Sequence, residues 1–226
     1  MAIEVETKDT TALSDAELAE MADICVEGPA GYDVGLISKV KDDWVLVSQA
    51  RENGKLHGFA LLTLERIGGT PCLLVGLASV KRTAKRDTVL RAIIADGFRR
   101  AVLAFPDEDV LLGTRLLDAS GFQAYSQLED VVPRPGHKAT GEERQWIRRL
   151  AKRFQVESQL DDRSFIVTGD GSTQPGLDIE ALKPEVIEED IRAFFAEVDT
   201  KRGDALIAFG WAMAELLSKY SPGVKA

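Results

Sequence analysis

The chain has 226 residues, of which 45% are hydrophobic and 29% charged, a composition that excludes a wholly disordered protein. Its net charge is −9, from 28 basic and 37 acidic residues, which makes nucleic acid an unlikely general partner. No apolar run reaches the roughly 18 residues of a membrane-spanning helix. The first residues carry neither the basic flank nor the apolar stretch of a secretory signal. We therefore expect no membrane partner.

The cysteines and histidines are few and widely spaced. Cys25 and Cys72 lie in apolar surroundings far apart in the chain, which argues against a disulfide framework. His57 and His137 have no second ligand at metal-binding spacing. We expect buried thiols in a reducing, cytoplasmic compartment, and no metal site.

Charge is distributed unevenly along the chain. Residues 1–33 hold nine acidic residues and one lysine, whereas residues 80–100 hold seven Lys or Arg and two Asp. A cluster of basic residues in one segment of an acidic chain predicts that this segment binds an anion. The alternative is a solvated helix face that balances nearby acids.

The first part of the chain alternates turn signals with helical and strand periodicity. Residues 1–12 are expected to be a loose start, and Ser14 with Glu17 forms a capping box that opens a helix. Asn53-Gly54 is a strong hairpin signal. The further predicted elements are a loop or irregular helix over 28–41, strands over 44–50, 58–65 and 72–80, a helix over 84–104, a strand over 109–113, a short helix over 114–119 and one or two strands within 122–132.

A proline-rich stretch at residues 133–136 marks a predicted domain boundary. We expect one domain over residues 1–135 and a mainly helical region over 136–226 that packs on it or on a second copy. The elements predicted in this region are a basic amphipathic helix over 142–154, a strand over 163–168, a loop over 169–176, an acidic helix over 185–198 and an apolar helix over 205–220. The low charge of that last helix predicts burial, and with it a homodimer.

The order of the elements in residues 13–132 resembles the GNAT superfamily of N-acetyltransferases. Three features carry the resemblance: the hairpin over 44–65, the strand over 73–80 that runs into a basic turn and a long helix, and the Leu-Leu-Asp-Ala-Ser-Gly-Phe stretch at 116–122. The resemblance implies an α+β (mixed α/β) fold with a mostly antiparallel central sheet flanked by helices. A C-terminal helical extension would be added to it here.

The resemblance also implies a CoA thioester as co-substrate. In this family the backbone N–H groups of a glycine-rich turn at a helix start bind the pyrophosphate of acetyl-CoA. Residues 82–87 correspond to that turn; Arg82 fits it, whereas Thr83, Lys85 and Asp87 replace the glycines. A strand N–H within residues 76–79 would polarise the thioester carbonyl. The cofactor-binding residues so implied are Leu77, Ser79, Arg82, Thr83, Lys85 and Arg86.

Candidate catalytic groups are few. Where many members of the family place a tyrosine as general acid, this chain has Leu117, which cannot transfer a proton. Tyr125 is the candidate substitute, with core packing as its alternative. Glu65 and His57 are candidate general bases; the alternatives are an exposed ion pair with Arg66 for the first and a solvent-edge position for the second.

Two functions of different classes stay open. One is an acyl-CoA-dependent N-acyltransferase that acetylates a small-molecule or peptide amine. The other is a non-catalytic GNAT-fold module that binds a ligand or a protein. Catalysis predicts an open cleft between strand 73–80 and the strand starting near residue 109, whereas a binding module predicts a cleft that is filled or lacks a titratable group. Nucleic-acid binding would require the basic segments 81–100 and 144–153 to share one face.

Overall fold

The computed structural model describes residues 3–28 and 30–221, and in them one open sheet carries helices on both faces. The nine strands of these ranges are β1 (Glu4–Asp9), β2 (Leu46–Glu52), β3 (Lys55–Ile67), β4 (Thr70–Val80), β5 (Val110–Leu116), β6 (Glu129–Val132), β7 (Ile166–Val167), β8 (Leu177–Asp178) and β9 (Ala205–Ala212). The helices are α1 (Asp15–Cys25), α2 (Val34–Val40), α3 (Arg86–Ala104), α4 (Gly141–Arg153), α5 (Glu189–Ala193) and α6 (Ala214–Ser218).

The sheet is mixed, and antiparallel pairs predominate. Its spatial order is β1-β2-β3-β4-β8-β5-β9-β6, with β7 alongside β9. Only the pairs among β4, β5 and β8 are parallel within the described ranges. The predicted fold class, a mostly antiparallel sheet flanked by helices, is confirmed.

Local sequence signals explain the first half of the sheet. The capping box at α1 is present, since the Ser14 N–H donates to the Glu17 carboxylate and the Glu17 N–H donates to the Ser14 hydroxyl. Asn53 and Gly54 both have positive φ (51° and 76°), as a two-residue hairpin turn requires. Strand β4 is buried from its second residue to its last, because it lies inside the sheet with both faces covered.

Helices α3 and α4 lie on opposite faces of the sheet. A side chain at Gly97 of α3 would meet Leu73 of β4, whereas one at Gly113 of β5 would meet Leu74 of β4 and Leu150 of α4. Successive residues of a strand point to opposite faces, so Leu73 and Leu74 separate the two helices. The shared basic face required for nucleic-acid binding is therefore not formed.

The predicted apolar helix over 205–220 is wrong for most of its length. Residues Ala205–Ala212 form β9, a buried strand between β5 and β6, and only Ala214–Ser218 are helical. An uninterrupted apolar run of eight residues fits a buried strand as well as a helix, and periodicity cannot separate the two. Because the sheet itself buries this segment, its low charge no longer argues for a second copy. The homodimer stays a prediction.

Three further expectations need correction. Residues 4–9 are not a loose start but strand β1, paired with β2. Residues 114–116 extend β5 and are followed by a 3-10 helix, Ala119–Tyr125, so the predicted short helix begins too early; one strand, β6, then follows, within the expected one or two. The acidic helix over 185–198 is reduced to α5 and a short 3-10 turn.

The region after residue 135 shares the sheet with the region before it. Strands β7, β8 and β9 all belong to this sheet, so the mainly helical character predicted for residues 136–226 is corrected. Helix α4 agrees with its prediction, and Trp146, Ile147 and Leu150 on its apolar stripe are buried. The division at residues 135 and 136 stays a prediction.

Candidate functional site

Strands β4 and β5 diverge where the resemblance places the cofactor cleft. They pair in parallel from Cys72 opposite Leu111 to Val75 opposite Thr114, and no further. Beyond that point β8 lies between them. The space between the diverging ends of β4 and β5 is called the groove below.

A bulge in β4 accompanies this divergence. In the pairing with β3, Leu61 faces Leu77 and Leu62 faces Val75, which leaves Gly76 as the extra residue. A β-carbon at Gly76 would come within 1.8 Å of the Trp44 indole, so only glycine fits. Bulges bend a strand and re-aim its groups, and this one lies at the start of the strand end expected to supply a carbonyl-polarising N–H.

The chain itself fills the groove. Residues 176–181, called the groove segment below, contain β8, which pairs with β4 on one side and β5 on the other. The Ala78 N–H donates to the Gly176 carbonyl (3.0 Å), and the Leu117 N–H donates to the Leu177 carbonyl (3.4 Å). Backbone donors on both walls of the groove are therefore satisfied by the groove segment.

Apolar burial holds the groove segment in place. Leu177, Ile179 and Ala181 are all buried, and the Ala181 N–H donates to the Ser120 hydroxyl at 2.7 Å. Full burial of a Leu or Ile side chain contributes about 1.5–3 kcal/mol. The segment is thus part of the core of this conformation.

Within the groove segment, Asp178 is the residue whose ionised form is destabilised by its surroundings. Its side chain is 2% exposed, and neither carboxylate oxygen has a hydrogen bond of ordinary geometry within the described residues. Burial raises its pKa to about 7, the charges of Glu180 and Asp118 act in the same direction, and the Ala30 backbone opposes them. The carboxyl therefore stays protonated up to a higher pH than an exposed aspartate does.

Three backbone donors of the basic turn before α3 are already used. The Thr83 N–H donates to the Lys81 carbonyl (2.8 Å), and the Arg86 N–H donates to the Thr83 carbonyl (3.1 Å). The Lys85 N–H donates to the Thr83 hydroxyl (3.3 Å). A phosphate at a helix start binds free N–H groups, and these three are engaged.

Carboxylates pair with the cations of this turn. The ion pairs join Arg82 to Glu180 (3.1 Å), Lys85 to Glu52 (2.7 Å) and Arg86 to Asp87 (3.3 Å). Cations at a helix N-terminus oppose the helix dipole, and nearby anions offset that effect. One of these anions, Glu180, comes from the groove segment, so the segment supplies both a strand and a negative charge.

The predicted catalytic residues do not come together. Tyr125 is buried, and its hydroxyl donates to the Ala208 carbonyl at 2.9 Å; burial raises its pKa well above the ordinary value. Glu65 lies opposite Cys72, seven residues from Ser79 along β4, which is about 23 Å at 3.3 Å per residue. Glu65 pairs with Arg153 (2.7 Å).

The ion pair expected between Glu65 and Arg66 is also wrong, because Arg66 binds Glu108 at 2.5 Å. Neighbouring strand residues point to opposite faces, so their side chains meet different partners. His57 lies nearer the groove, with its Nε2 at 3.9 Å from Glu52 and its carbonyl accepting the Lys81 N–H. It is half-buried rather than at a solvent edge.

Of the predicted cofactor-binding residues, two lie in the wall of the groove and four in the turn beside it. Leu77 and Ser79 are buried on β4, and Ser79 faces Asp178 of the groove segment. Arg82, Thr83, Lys85 and Arg86 form the turn. The residues implied by the resemblance are thus gathered at one place, with the groove segment seated against them.

A cavity of about 370 Å³ is a second candidate site, which sequence reasoning missed. It lies beside the groove, and its lining includes Trp44, Phe154, Arg115 and residues 172–175, which lead into the groove segment. Arg115 is 4% exposed. The signal available for it was a single arginine inside the apolar run of β5, where charge is rarely buried without a partner.

Comparison with known proteins finds similarity in structure only. No protein-family model matches the chain, and no curated protein matches it in sequence. The ribosomal-protein-S18-alanine N-acetyltransferase of Escherichia coli is similar over 62% of this chain and 86% of its own, at 14% identity and a TM-score of 0.42.

Two further solved structures were determined with a cofactor. An acetyltransferase of Bacillus subtilis in complex with CoA is similar over 63% of this chain and 91% of its own, with 11% identity and a TM-score of 0.40. A GNAT family acetyltransferase of Brucella melitensis in complex with acetyl-CoA is similar over 48% of this chain and 75% of its own, with 16% identity and a TM-score of 0.35. All three are acetyltransferases, the class that the sequence resembles.

Two searches of the described ranges complete the survey. Among residues 3–28 and 30–221, no helix is both long and apolar enough to cross a membrane. The same part of the chain contains no group of three or more His, Cys, Asp and Glu side chains arranged to hold a metal ion.

Proposed function

We propose that this protein is a non-catalytic binding module on an acetyltransferase-like fold, in which its own groove segment takes the place of a CoA thioester. One observation carries the proposal: the Ala78 N–H, at the end of β4 expected to polarise a thioester carbonyl, already donates to the Gly176 carbonyl. A donor that is satisfied within the chain stabilises no oxyanion.

The charges around the groove support the same conclusion. Glu180 of the groove segment binds Arg82 of the basic turn (3.1 Å), so a carboxylate stands beside the turn that would receive a pyrophosphate. The N–H groups of Thr83, Lys85 and Arg86 are occupied as well. CoA would have to displace both the strand pairing and this ion pair.

The placement of two of the three candidate proton carriers is a further support. Attack of an amine on a thioester releases a proton from nitrogen and requires one at the departing sulfur. The Tyr125 hydroxyl is committed to a backbone carbonyl in the core, and the Glu65 carboxylate is bound to Arg153. Neither is presented to the groove.

An acyl-CoA-dependent N-acyltransferase acting on a small-molecule or peptide amine is the second candidate. The observation that favours it is how few polar ties hold the groove segment: β8 has two residues, and the Arg82–Glu180 pair is 43% and 33% exposed in its side chains. Exposed ion pairs contribute about 0–1 kcal/mol. Withdrawal of the segment would free the Ala78 N–H and Arg82 for acetyl-CoA or another CoA thioester.

Titration calorimetry with acetyl-CoA and with CoA separates the two candidates. The proteins to compare are the wild type, Glu180→Ala, which removes the carboxylate from the basic turn, and Glu185→Ala, a matched loss of one exposed glutamate outside the groove segment. The binding module predicts no saturable heat for any of the three, even at millimolar CoA, because the core residues of the segment still fill the groove.

The second candidate predicts a different pattern. CoA would bind the wild type, bind Glu180→Ala more tightly and bind Glu185→Ala as it binds the wild type. Replacing both Arg82 and Arg86 by alanine would then abolish binding. Micromolar CoA binding with this pattern would overturn the non-catalytic proposal and call for an acceptor screen among amines.

A further inference from the structure

Arg115 is a buried cation with no carboxylate partner. It is the last but one residue of β5, and it is 4% exposed. Its Nε has no hydrogen-bond partner within the described residues, and its Nη2 reaches only the Gly76 carbonyl, at 3.5 Å. Burial lowers its pKa to about 10, so the guanidinium stays charged at neutral pH.

Most other buried charged side chains in the described ranges are paired. Asp96 is held by Arg99 and Arg100, and Asp204 by Arg202. Asp178 is also unpaired, but burial raises its pKa to about 7, so it can be neutral where Arg115 cannot. Removing an ion from water has an effective penalty of several kcal/mol unless a partner offsets it. An unpaired buried cation that lines a cavity is the arrangement expected of a site whose anion comes from outside the chain.

The cavity beside Arg115 has the size of a small-molecule site and a cluster of apolar residues in its lining. Its volume is about 370 Å³, and such sites span about 300–1,000 Å³. Its apolar lining residues are Leu36, Val40, Trp44, Phe154, Val156 and Pro175. The Arg115 guanidinium lies 5.1 Å from the centre of the Phe154 ring, and the Trp44 and Phe154 rings are 6.1 Å apart. The cavity therefore presents one buried charge beside an apolar cluster, and polar residues such as Gln155 and Gln159 complete its lining.

The other charges that line the cavity favour a ligand with a single negative charge. Arg153 is already bound to Glu65 (2.7 Å) and to the Asp43 carbonyl (3.3 Å). Lys39 and Asp43 are exposed at the rim and carry opposite charges. The Asp43 carboxylate disfavours a dianion, and Arg115 disfavours an amine.

We propose that this cavity binds a small carboxylate with an apolar body, whose carboxylate pairs with Arg115. The guanidinium fork matches the two oxygens of a carboxylate, and hydrogen bonds between such charged groups are stronger than neutral ones. The apolar lining residues would cover the rest of the molecule. This cavity lies outside the groove, so the inference goes beyond the proposed function and does not depend on it.

Benzoate is a suitable probe, with benzamide as its uncharged isostere and inorganic phosphate as a compact dianion. Binding is measured by calorimetry and by the fluorescence of the protein, since the Trp44 indole lines the cavity. We expect saturable benzoate binding at least about tenfold tighter than benzamide binding, which corresponds to about 1.4 kcal/mol. Phosphate is expected to bind more weakly than benzoate.

Two variants test the role of Arg115. Arg115→Met keeps much of the side-chain volume and removes the charge, and we expect it to reduce benzoate affinity at least about tenfold. Arg91→Met removes one exposed arginine from α3 and is expected to bind benzoate as the wild type does. Equal affinity for benzoate and benzamide, unchanged benzoate binding by Arg115→Met, or no saturable benzoate binding at millimolar concentrations would each overturn the proposal.

The test remains decisive if Arg115→Met does not fold. In that case the wild type alone is compared by thermal denaturation with benzoate and with benzamide, since a ligand that binds only the native state raises its stability. Benzoate must raise the melting temperature more than an equal concentration of benzamide does. Failure here leaves the CoA titrations unaffected, so the two proposals fail separately.

Discussion

The groove and the Arg115 cavity are adjacent and are formed partly by one stretch of chain. Their polar groups nevertheless differ, because the chain supplies partners for those of the groove and no anion for Arg115. Residues 172–175 line the cavity, and residues 176–181 fill the groove. In the groove, the Ala78 N–H and the Arg82 guanidinium both have partners supplied by the chain. In the cavity, the Arg115 guanidinium is buried without an anion.

Both proposals made above rest on this difference. A groove whose donors and cations are satisfied gains little from a cofactor, because the ligand must first displace contacts of the same kind. A buried, unpaired cation gains from any anion that fits, because the desolvation penalty has already been met in folding. The residues implied by the sequence resemblance lie at the groove, whereas the unpaired buried charge lies at the cavity.

The largest expected effect comes from shortening the side chain at the centre of the groove segment. Leu177→Ala removes a buried side chain between β4 and β5, and such changes reduce the free energy of unfolding by about 2–5 kcal/mol. Urea denaturation measures it. Leu182→Ala is the control: Leu182 is 44% exposed, and its loss should change stability by less than about 0.5 kcal/mol.

Equal effects of the two substitutions would break the comparison. They would mean that the groove segment is not part of the folded core in solution, so that the groove is open. The second candidate function, acyl transfer, would then become the leading one.

The next largest effect depends on pH and on Asp178. Its pKa is about 7, mainly because of burial, so the folded protein keeps a proton that the unfolded chain releases at a lower pH. Stability is therefore full below the unfolded pKa and is lost as pH rises through the folded one. We expect the free energy of unfolding to fall by about 2–3 kcal/mol between about pH 5 and about pH 8.

The variant Asp178→Asn has no carboxyl to ionise at this position, so most of this decrease in the free energy of unfolding should be absent. Its stability should exceed that of the wild type at the higher pH, as measured by urea denaturation at both values. The neighbouring Cys25 thiol has a pKa raised to about 12, and the pKa of Tyr32 is raised well above its usual range, both mainly by burial. Neither titrates in this window. Asp23→Asn, at an exposed site, should leave the slope unchanged.

A wild type with no pH dependence in this range would show that the Asp178 carboxyl reaches water. That result would also show that the groove segment is loosely packed at its centre. The groove would then differ less from the cavity at Arg115. Comparing Asp178→Asn with Asp23→Asn distinguishes this result from an effect of pH on the stability of the whole chain.

The sequence predicts the fold well wherever one signal dominates. The capping residues of α1, the Asn-Gly turn and the uninterrupted apolar run of β4 each specify one local structure. Strand β9 carries no such signal, because eight apolar residues suit a buried helix and a buried strand equally. Only its neighbours in the sheet decide, and these are distant in the chain.

The groove segment and Arg115 were missed for different reasons. Residues 177–180 alternate apolar and acidic, the pattern of a strand with one buried face. The alternation is too short to indicate which strands it joins, and it does not predict that Asp178 is buried. Arg115 was visible as a charge within β5, but its lack of a partner is a property of the packed structure and not of spacing.

The smallest expected effect comes from Glu180, and it tests what closes the groove. Glu180→Gln removes the charge that faces Arg82, in a pair whose side chains are 43% and 33% exposed. Pairs of this kind contribute about 0–1 kcal/mol and weaken as salt rises. We therefore expect a small loss of stability in dilute buffer that disappears in molar salt, with Glu185→Gln, at an exposed glutamate outside the groove segment, as the control. A larger effect of Leu177→Ala would show that apolar packing closes the groove and that Glu180 adds the charge that fits the basic turn. An effect of Glu180→Gln as large as that of Leu177→Ala would reverse this assignment, and a phosphate competing for Arg82 would then suffice to open the groove.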